Sequence, residues 1–412
     1  MGNRPLEGIR VVEMATFIAA PCTARFLADL GAEVIKVEPP MGDPLRYTAV
    51  NEGRPLDQKE NTSYDLENAG KTCISLNTKS EEGREALEKL LATADVFICN
   101  WRQSPLKRAG LDWETLHEKY PKLVYGYVSG YGEKGPDKDL PGFDFTAFYA
   151  RGGILGPLRD KNSLPMLTVQ GFGDHQVAMN LAAGVLAALF KAKMTGEGDH
   201  VVVSLFHSAI WDISLMLQAS QYGADSTQYP MERWKLGNPL VLCYETADGH
   251  WLQIAMPQYD RHYPILMNAM GYPELADDVR YYPQKNLIPN REEFSAWITA
   301  EFKKKTCDEW CKLLDANDLP YAIAQEWDSL LEDKQAWASD CFYEMTYSNG
   351  NKRTLVRPPI LFDQMGLPPY ERGPYLGEQT KDILSDLGYS GEAIEEMIKN
   401  GAAVDMDPAL RD

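Results

Sequence analysis

Residues 171–190 read GFGDHQVAMNLAAGVLAALF, two glycines and an aspartate followed by an apolar run. From residue 177 onward, apolar residues recur at helical spacing and those between them are nearly as apolar, which predicts a helix buried on almost all sides. Asp174 stands where the first turn begins, where a carboxylate accepts hydrogen bonds from free N–H groups and stays ionised. Two interpretations of Asp174 are open: a helix cap, or a nucleophile at the edge of a dry pocket.

Short apolar runs alternate with helical segments around this stretch. Strands are predicted at 9–14, 34–37, 73–76, 96–99, 123–128 and 201–205, and helices at 23–30, 80–93 and 208–222. Ser80 is the expected cap of the helix that follows it. A strand, a helix and a strand within about thirty residues form a βαβ unit, so the fold class is α/β with a large open parallel sheet. No G-x-G-x-x-G follows the first strand, which argues against a nicotinamide oxidoreductase.

The stretch between the two α/β parts predicts a smaller α+β domain at 230–322. Residues 241–256 resemble a hairpin that turns at 247–249, and residues 223–240 form a polar, irregular crossover. Helices near 263–270, 291–304 and 307–316 complete this domain. We expect the large domain to combine 1–225 with 323–412 and to end in two helices separated at Gly388.

Composition excludes several classes of partner. The net charge of −19 would repel nucleic acids and anionic membranes. The longest apolar run, 181–190, is half a membrane span, and the N-terminal MGNRPLEGIR has no apolar signal core. Cys307 and Cys311 are four apart without a second pair, which predicts core thiols rather than zinc ligands. Scattered cysteines that need no disulfide fit the cytoplasm.

Four longer stretches resemble the family III CoA-transferases, also called the formyl-CoA or carnitine-CoA transferase family. They are PLEGIRVVEMATFIAAPCTARFLADLGAEVIKVEPPMGDPLR (5–46), LNTKSEEGREALEKLLATADVFICNWR (76–102), GDHQVAMNLAAGVLAALFKAKMTGEG (173–198) and LGEQTKDILSDLGYSGEAIEEMIKNGA (376–402). The resemblance covers essentially the whole chain. It implies a large Rossmann-like CoA-binding domain, a smaller domain and an interlocked homodimer. It also implies CoA thioesters as substrates, no permanently bound cofactor and no metal.

Further stretches resemble a narrower branch of that family, which moves CoA from an unsaturated acyl-CoA to an (R)-2-hydroxy acid in amino-acid fermentation. They are GDPLRYTAVNEGRPL (42–56), NTSYDLENAGK (61–71), GYGEKGPDKDLPGFDFTAFYARGG (130–153) and LLEDKQAWASD (330–340). The implied donor is of the cinnamoyl-CoA or isocaprenoyl-CoA type, and the implied acceptor is phenyllactate or 2-hydroxyisocaproate. A functional link to a 2-hydroxyacyl-CoA dehydratase is expected, and its physical association stays open.

Other functions on the same fold are alternatives. They are CoA transfer to formyl, oxalyl or carnitine-type acids, α-methylacyl-CoA racemisation and non-catalytic acyl-CoA binding. Racemases of this kind place a His in the middle of the segment that here reads Gly142-Phe143-Asp144, and a phenylalanine cannot take a proton. Retention of Asp174 argues against a non-catalytic binding protein.

The resemblance makes Asp174 the catalytic nucleophile. It attacks the thioester carbonyl and forms a mixed anhydride while the CoA thiolate leaves; the acceptor carboxylate then attacks, and the thiolate takes up the new acyl group. A carboxylate is ionised at neutral pH and needs no separate base. Because one thioester replaces another, neither ATP nor a metal is required. Water must be excluded from the anhydride.

The resemblance assigns CoA contacts to loops that follow strands, where open α/β sheets place ligands. The candidates are Ile18, Ala19, Leu76, Asn77, Thr78, Lys79, Asn100, Trp101, Arg102, Arg108, Pro141, Gly142, Phe143 and Asp144. Taken singly, each Lys or Arg is better explained as a solvated surface charge, and it is their position at successive strand ends that favours CoA contact. Asp144 either touches the substrate or caps the helix that follows it. His175 is interpreted as structural, because the next residue along a helix points about 100° away.

Two departures from the family pattern affect the site. The family's Gly-rich loop in the small domain is reduced to 237–239, so another segment must exclude water, and Pro39 replaces a basic residue that often contacts CoA. Aromatic residues near the site have two interpretations, an acyl pocket or hydrophobic core. They are Phe17, Phe143, Phe145, Phe148 and Tyr149.

Overall fold

The computed structural model describes residues 4–223, 229–368 and 370–411. The strands are β1 Arg10–Met14, β2 Glu33–Glu38, β3 Thr72–Leu76, β4 Val96–Cys99, β5 Val124–Ser129, β6 His200–Ser204, β7 Cys243–Glu245, β8 Trp251–Ile254, β9 Tyr321–Ile323, β10 Phe342–Thr346, β11 Lys352–Val356 and β12 Ala403–Val404. The helices are α1 Ala19–Asp29, α2 Thr62–Asn68, α3 Glu81–Leu91, α4 Gln103–Ala109, α5 Trp113–Lys119, α6 Phe172–Thr195, α7 Leu205–Asp212, α8 Ser214–Ala219, α9 Tyr259–Met270, α10 Gln284–Phe302, α11 Cys307–Ala316, α12 Trp327–Leu331, α13 Lys334–Ala338, α14 Thr380–Asp386 and α15 Gly391–Lys399.

The large sheet has the strand order β12–β3–β2–β1–β4–β5–β6. Strands β1 to β6 are parallel, and Val12 lies opposite Ile35 on one side and Phe97 on the other. The central strands are buried on both faces, which is why they read as continuous apolar runs. β12 adds an antiparallel edge strand that pairs Ala403 with Leu76. The predicted parallel sheet is therefore confirmed, and the C-terminal end of the chain contributes to it.

Helices cover both faces of this sheet. On one face α1 packs against α6, and the Thr23 hydroxyl donates a hydrogen bond to the carbonyl of Ala178 at 3.2 Å. On the other face, side chains of α3, α14 and α15 enter the same core cluster as β1, β2 and β4. The predicted cap of α3 is confirmed, since Ser80 Oγ accepts from the Gly83 N–H at 3.1 Å. This doubly wound order places the carboxyl ends of the parallel strands at one edge, where such sheets bind ligands.

One side of α6 is exposed, contrary to the expectation of burial almost all round. Its inner side packs on β5, where Leu181 and Val185 meet Gly126. An apolar sequence cannot show which faces other elements cover. By length and composition alone α6 is also long enough to cross a membrane, a test that core helices of α/β proteins pass as well. The exposed residues recur at spacings of three and four: Asn180, Ala183, Ala187, Phe190 and Met194.

The chain divides into two compact units. The first contains Met1–Ile154, Leu167–Ser214 and Gln335–Asp412, and the second contains Leu155–Met166 and Leu215–Lys334. The expected boundaries, 1–225 with 323–412 against 230–322, differ from this division. Residues 155–166 belong to the second unit because Asp160 bridges to Met231 and the Lys161 N–H donates to the Met231 carbonyl at 2.9 Å. The unit extends past residue 322 because β9 pairs with β8.

The second unit has its own core and a three-stranded antiparallel sheet. The predicted hairpin is present as β7 and β8, joined through the turn at 247–249. Stacked rings of Tyr244, Phe302 and Trp310 pack under it. Part of the expected crossover at 223–240, residues 224–228, lies outside the described residues. The hairpin β10–β11 of the first unit was not expected, because its strands are short and rich in polar residues.

Candidate active site

The first turn of α6 depends on its two glycines. Gly171 is the N-cap residue with φ +83°, a left-handed conformation that glycine adopts without strain. Gly173 lies so close to the Asp144 carboxylate and the Phe148 ring that a Cβ atom would overlap both. The G-x-G-D sequence therefore reflects one turn and one close approach, and it sets Asp174 as the third residue of the helix.

Asp144 caps this helix from another segment of the chain. Its Oδ2 accepts from the Gly171 N–H at 2.9 Å and its Oδ1 accepts from the Gly173 N–H at 3.1 Å. The expected alternatives were substrate contact or a cap on its own helix; Asp144 is a cap, but it caps α6 rather than the π-helical segment Asp144–Ala150 that it begins. Burial raises the Asp144 pKa to about 6, although both N–H groups act against this.

Because Asp144 caps α6, Asp174 does not serve as the helix cap. Burial is the main cause that raises the Asp174 pKa to about 7, and the charges of Asp144 and Glu67 add to it, while His175 acts in the opposite direction. The expectation of a fully ionised carboxylate at the helix end is therefore wrong. Asp144 occupies the N–H groups that would have stabilised its charge. Asp174 is a partly buried acid with a pKa near neutrality, a property typical of catalytic groups.

His175 is directed to α2 and not to Asp174. Its Nε2 lies 2.9 Å from Oε1 of Glu67, whose side chain is almost fully buried. Burial opposes protonation of the imidazole, but the hydrogen bond and charge of Glu67 outweigh it and raise the His175 pKa. This geometry agrees with a supporting role for His175, whose positive charge lies near the Asp174 carboxyl.

Cys22, Glu67 and His175 bring a sulfur, an oxygen and a nitrogen within 4.8 Å of one another, the combination within the described chain that could hold a metal ion. Burial, followed by the charge of Glu67, raises the pKa of the Cys22 thiol well above its usual value. His175 is hydrogen-bonded to Glu67, and the charges of both act on Asp174, so the three side chains form a supporting cluster for Asp174.

A cavity of about 240 Å³ opens beside Asp174 at the carboxyl ends of β1, β4 and β5. Its wall contains Asp174 and seven of the residues expected from the sequence to contact CoA. These seven are Ile18, Ala19, Asn100, Arg102, Pro141, Gly142 and Phe143. The cavity thus joins the presumed nucleophile with three separate strand-end loops.

The other expected contacts lie away from this wall in the described chain. The Leu76 side chain is in the core, Trp101 packs beside that core, and Asp144 lies behind as the helix cap. Arg108 is exposed and donates to Ser104 at 2.6 Å. Asn77, Thr78 and Lys79 follow β3, which the sheet order places two strands from β1, roughly 10 Å away. Their contact with so long a ligand as CoA stays a prediction.

Several wall residues were not expected from the sequence. The most informative is Lys138, which adds a second cation to Arg102. It belongs to the Gly- and Pro-rich loop after β5, and that position at a strand end was the available signal. The same loop is fixed where Gly130 and Gly142 meet backbone to backbone, without room for a Cβ on either. Phe17, one of the aromatic residues considered for the acyl pocket, also lies in the wall, and the remaining additions are Thr16, Tyr127, Val128, Ser129, Gly130, Leu140 and Leu205.

The loop after β1 is held by two side chains from other elements. Asn100 accepts from the Thr16 N–H at 3.1 Å and donates to the Thr16 carbonyl at 2.8 Å. Asp43 accepts from the Phe17 N–H at 3.0 Å and forms an ion pair with the buried Lys36 at 3.0 Å. Between these anchors Phe17 has φ +64°, a left-handed conformation that is strained for a residue with a side chain.

The aromatic residues near the site have divided roles. Phe17 and Phe143 line the cavity. Phe148 and Tyr149 are buried core residues, and Phe145 is exposed outside the cavity wall. The core interpretation is therefore confirmed for Phe148 and Tyr149, and the acyl pocket stays a prediction for Phe17 and Phe143.

Comparison with known proteins agrees with this architecture. The sequence model described as CoA-transferase family III matches residues 6–380. A cinnamoyl-CoA:phenyllactate CoA-transferase of Clostridium sporogenes is 52% identical over 395 residues, 96% of each chain. An (R)-2-hydroxy-4-methylpentanoate CoA-transferase of Clostridioides difficile is 41% identical over 389 residues, 94% of this chain and 97% of the relative.

Solved structures show the same fold. The protein Rv3272 of M. tuberculosis superposes with a TM-score of 0.80 at 26% identity, covering 92% of this chain and 99% of that one. A CAIB/BAIF family protein from Brucella suis has a TM-score of 0.77 at 28% identity, covering 94% of this chain and all of the other.

Proposed function

The chain belongs to CoA-transferase family III, and from that premise we propose that it moves CoA from an unsaturated acyl-CoA to an (R)-2-hydroxy acid through Asp174. The donor would be of the cinnamoyl-CoA or isocaprenoyl-CoA type, and the acceptor of the phenyllactate or 2-hydroxyisocaproate type. The names of the two relatives described above support this choice of substrates. From the sequence resemblance we infer that the reaction serves amino-acid fermentation and is linked functionally to a 2-hydroxyacyl-CoA dehydratase.

The position of Asp174 carries the proposal. It is a largely buried carboxyl group at the wall of a cavity, and its helix is capped by a different acid. Burial that raises the pKa of Asp174 also removes water from the carboxylate, which makes the ionised fraction more nucleophilic. Neither Phe143 nor His175 offers this wall a free base, since one is aromatic and the other bonds Glu67.

The proposed steps balance without proton transfer. A carboxylate oxygen of Asp174 bonds to the thioester carbonyl carbon, the C–S bond breaks, and CoA leaves as a thiolate. The acceptor carboxylate attacks the Asp174 carbonyl of the anhydride and displaces the donor acid. The thiolate then attacks the acceptor's acyl carbon, giving the new thioester and restoring the Asp174 carboxylate.

Two cations suit the phosphate groups of CoA in a protein whose net charge is −19. Arg102 and Lys138 lie in the cavity wall, and the Ile18–Ala19 backbone lies where β1 ends. Their local charge offsets the repulsion that the whole protein exerts on an anion. Because these residues all belong to the first unit, we propose that the first unit is the CoA-binding domain.

A transfer assay read by mass spectrometry tests the proposal. The purified protein receives cinnamoyl-CoA or 4-methylpentenoyl-CoA with (R)- and (S)-2-hydroxy acids, formate, oxalate and carnitine. Formation of an (R)-2-hydroxyacyl-CoA that disappears in Asp174→Asn is expected. Transfer only to formate, oxalate or carnitine would contradict the choice of acceptor. Exchange of the α-proton of a 2-methylacyl-CoA without CoA transfer would identify a racemase instead.

We further propose that the protein is a homodimer in the cytoplasm. The exposed apolar stripe on α6, running from Ala183 to Met194, supports an interface between chains, since such stripes are normally covered. Sedimentation equilibrium is expected to give twice the mass of 46.3 kDa. A monomer at micromolar concentration would contradict this.

A further inference from the structure

We propose that Phe17 and Phe143 form an aryl-binding subsite beside Asp174, which makes the enzyme prefer 2-hydroxy acids that carry an aromatic ring over branched aliphatic ones. This inference rests on the proposed transfer reaction and narrows its substrate class. The two rings come from different strand-end loops, and both line the cavity that contains Asp174.

The two rings are arranged as a corner. Their centroids are 6.1 Å apart and their planes meet at 88°. An incoming ring can therefore pack against the face of one phenylalanine and the edge of the other, the arrangement that aromatic quadrupoles favour. Phe143 is 55% exposed, so the corner has free surface to offer a ligand. A branched alkyl group gains contact area there but no edge-to-face attraction.

The Phe17 ring packs in part against the buried cluster of Ile18, Leu45 and Tyr64, and it also lines the cavity. At φ +64° glycine would be the unstrained residue, yet the position holds a large side chain. Asn100 and Asp43 fix the loop at Thr16 and at the Phe17 N–H, through hydrogen bonds of 2.8 to 3.1 Å. Strained residues held by their surroundings concentrate at ligand sites.

The backbone at Phe143 is also fixed by its neighbours. Its N–H donates to Thr146 Oγ1 at 3.0 Å, and the preceding Gly142 packs against the backbone of Gly130. The ring thus projects from a fixed base at the start of the π-helical segment, a feature often found at functional sites. Phe145, two residues along, is also exposed but is not part of the cavity wall, so it provides a matched control.

A competition assay tests the subsite. One donor thioester is mixed with equal concentrations of (R)-phenyllactate and (R)-2-hydroxyisocaproate, and the ratio of the two product thioesters is read by mass spectrometry. Because both acids compete for the same enzyme and the same CoA, this ratio does not depend on the folded fraction or on CoA affinity. The wild type is expected to favour the aryl product.

Phe17→Leu and Phe143→Leu are each expected to lower the aryl-to-alkyl ratio by about 3- to 10-fold, the usual range for one aromatic pair. Phe145→Leu is expected to leave the ratio unchanged. A wild-type preference for the alkyl acid, an equal shift in Phe145→Leu, or variants that lose rate without a change of ratio would overturn the subsite. Transfer to neither acid by the wild type would instead overturn the proposed reaction.

Discussion

Two groups of charged side chains lie close together in the first unit and differ in the ratio of acidic to basic groups. One, the buried ion-pair network, contains three carboxylates and three cations: Glu13, Glu38 and Asp43 with Lys36, Lys71 and Arg46. The other, the active-site acids, contains three carboxyl groups and one imidazole: Asp174, Asp144 and Glu67 with His175. The network is buried, whereas the His175 side chain is 44% exposed and Asp174 lines the cavity.

The different ratio of acidic to basic groups leads to opposite pKa shifts, which suit one group to stabilising the fold and the other to catalysis. Burial opposes ionisation of Glu13, but Lys36 and Lys71 outweigh it and lower the Glu13 pKa. Arg46 outweighs burial at Glu38 and lowers its pKa to about 2. Among the active-site acids the single imidazole of His175 does not outweigh burial and the charges of Asp144 and Glu67, and the pKa of Asp174 rises to about 7. Matched charges hold the strand ends in place, whereas an unmatched acid keeps its reactivity.

Replacing Asp174 by Asn should lower the activity more than any other change and should increase the stability of the fold. Loss of the nucleophile lowers kcat by about 10³-fold or more. A carboxyl group whose folded pKa is raised contributes stability below its unfolded pKa of about 4, and that contribution is lost as the pH rises through the folded pKa of about 7. Thermal unfolding at pH 8 should therefore show a Tm for Asp174→Asn that is a few degrees higher. The difference should vanish below about pH 4, where both states hold the proton. A lower Tm at pH 8 would place Asp174 among the structural charges.

Removing one member of the ion-pair network should reverse that pattern. Glu13→Gln leaves Lys36 and Lys71, both fully buried, without their shared partner at 2.6 Å. An uncompensated buried charge costs about 3–5 kcal/mol. Chemical denaturation should detect this loss. Glu33→Gln breaks the exposed ion pair with Arg10 and serves as control, with an expected cost below about 1 kcal/mol. Equal costs for the two variants would show that the network is not a structural unit.

The sequence predicts the parts of this comparison that depend on local pattern. Continuous apolar runs predict the parallel strands, and the G-x-G-D motif places Asp174 at the start of α6. The acids around Asp174 could not be predicted, because Asp144 lies 27 residues from the Gly171 N–H it caps and Glu67 lies 108 residues from His175. Their meeting depends on tertiary packing, and it is this meeting that changes the pKa expected for Asp174.

Gly173→Ala should disturb the cap without removing any charge. A Cβ atom at this position overlaps the Asp144 carboxylate and the Phe148 ring, so the first turn of α6 must shift. A displacement of about 1 Å in a catalytic group can cost about 10²-fold in rate. We expect kcat to fall by about 10- to 100-fold with KM for CoA donors changed less. Gly391→Ala, in the first turn of α15, is the control, because a Cβ atom there meets no other atom within 4 Å. A wild-type kcat in Gly173→Ala would show that the cap does not position Asp174.

The pH dependence of kcat/KM should report the ionisation of Asp174. Only ionised Asp174 attacks, and its pKa of about 7 leaves roughly a tenth of the free enzyme active at pH 6. The rate should therefore rise about 10-fold between pH 6 and pH 8. The charges of Asp144, Glu67 and His175 act on Asp174 and contribute to the apparent value. If kcat/KM stays constant down to pH 5, a positive group of the protein or of a bound ligand stabilises the Asp174 carboxylate and keeps its pKa low.

His175→Gln should give the smallest change and the sharpest test of the supporting cluster. The amide can still donate a hydrogen bond to Glu67, but the positive charge that lowers the Asp174 pKa is lost. The acid limb of the profile should move to higher pH, which lowers kcat/KM at pH 6.5 by about 2- to 4-fold. At pH 9, where Asp174 is ionised in both proteins, the rates should agree within about 2-fold. A fall at pH 9 with an unmoved limb would assign His175 to packing, and then the imidazole would contribute nothing to the charge balance around Asp174.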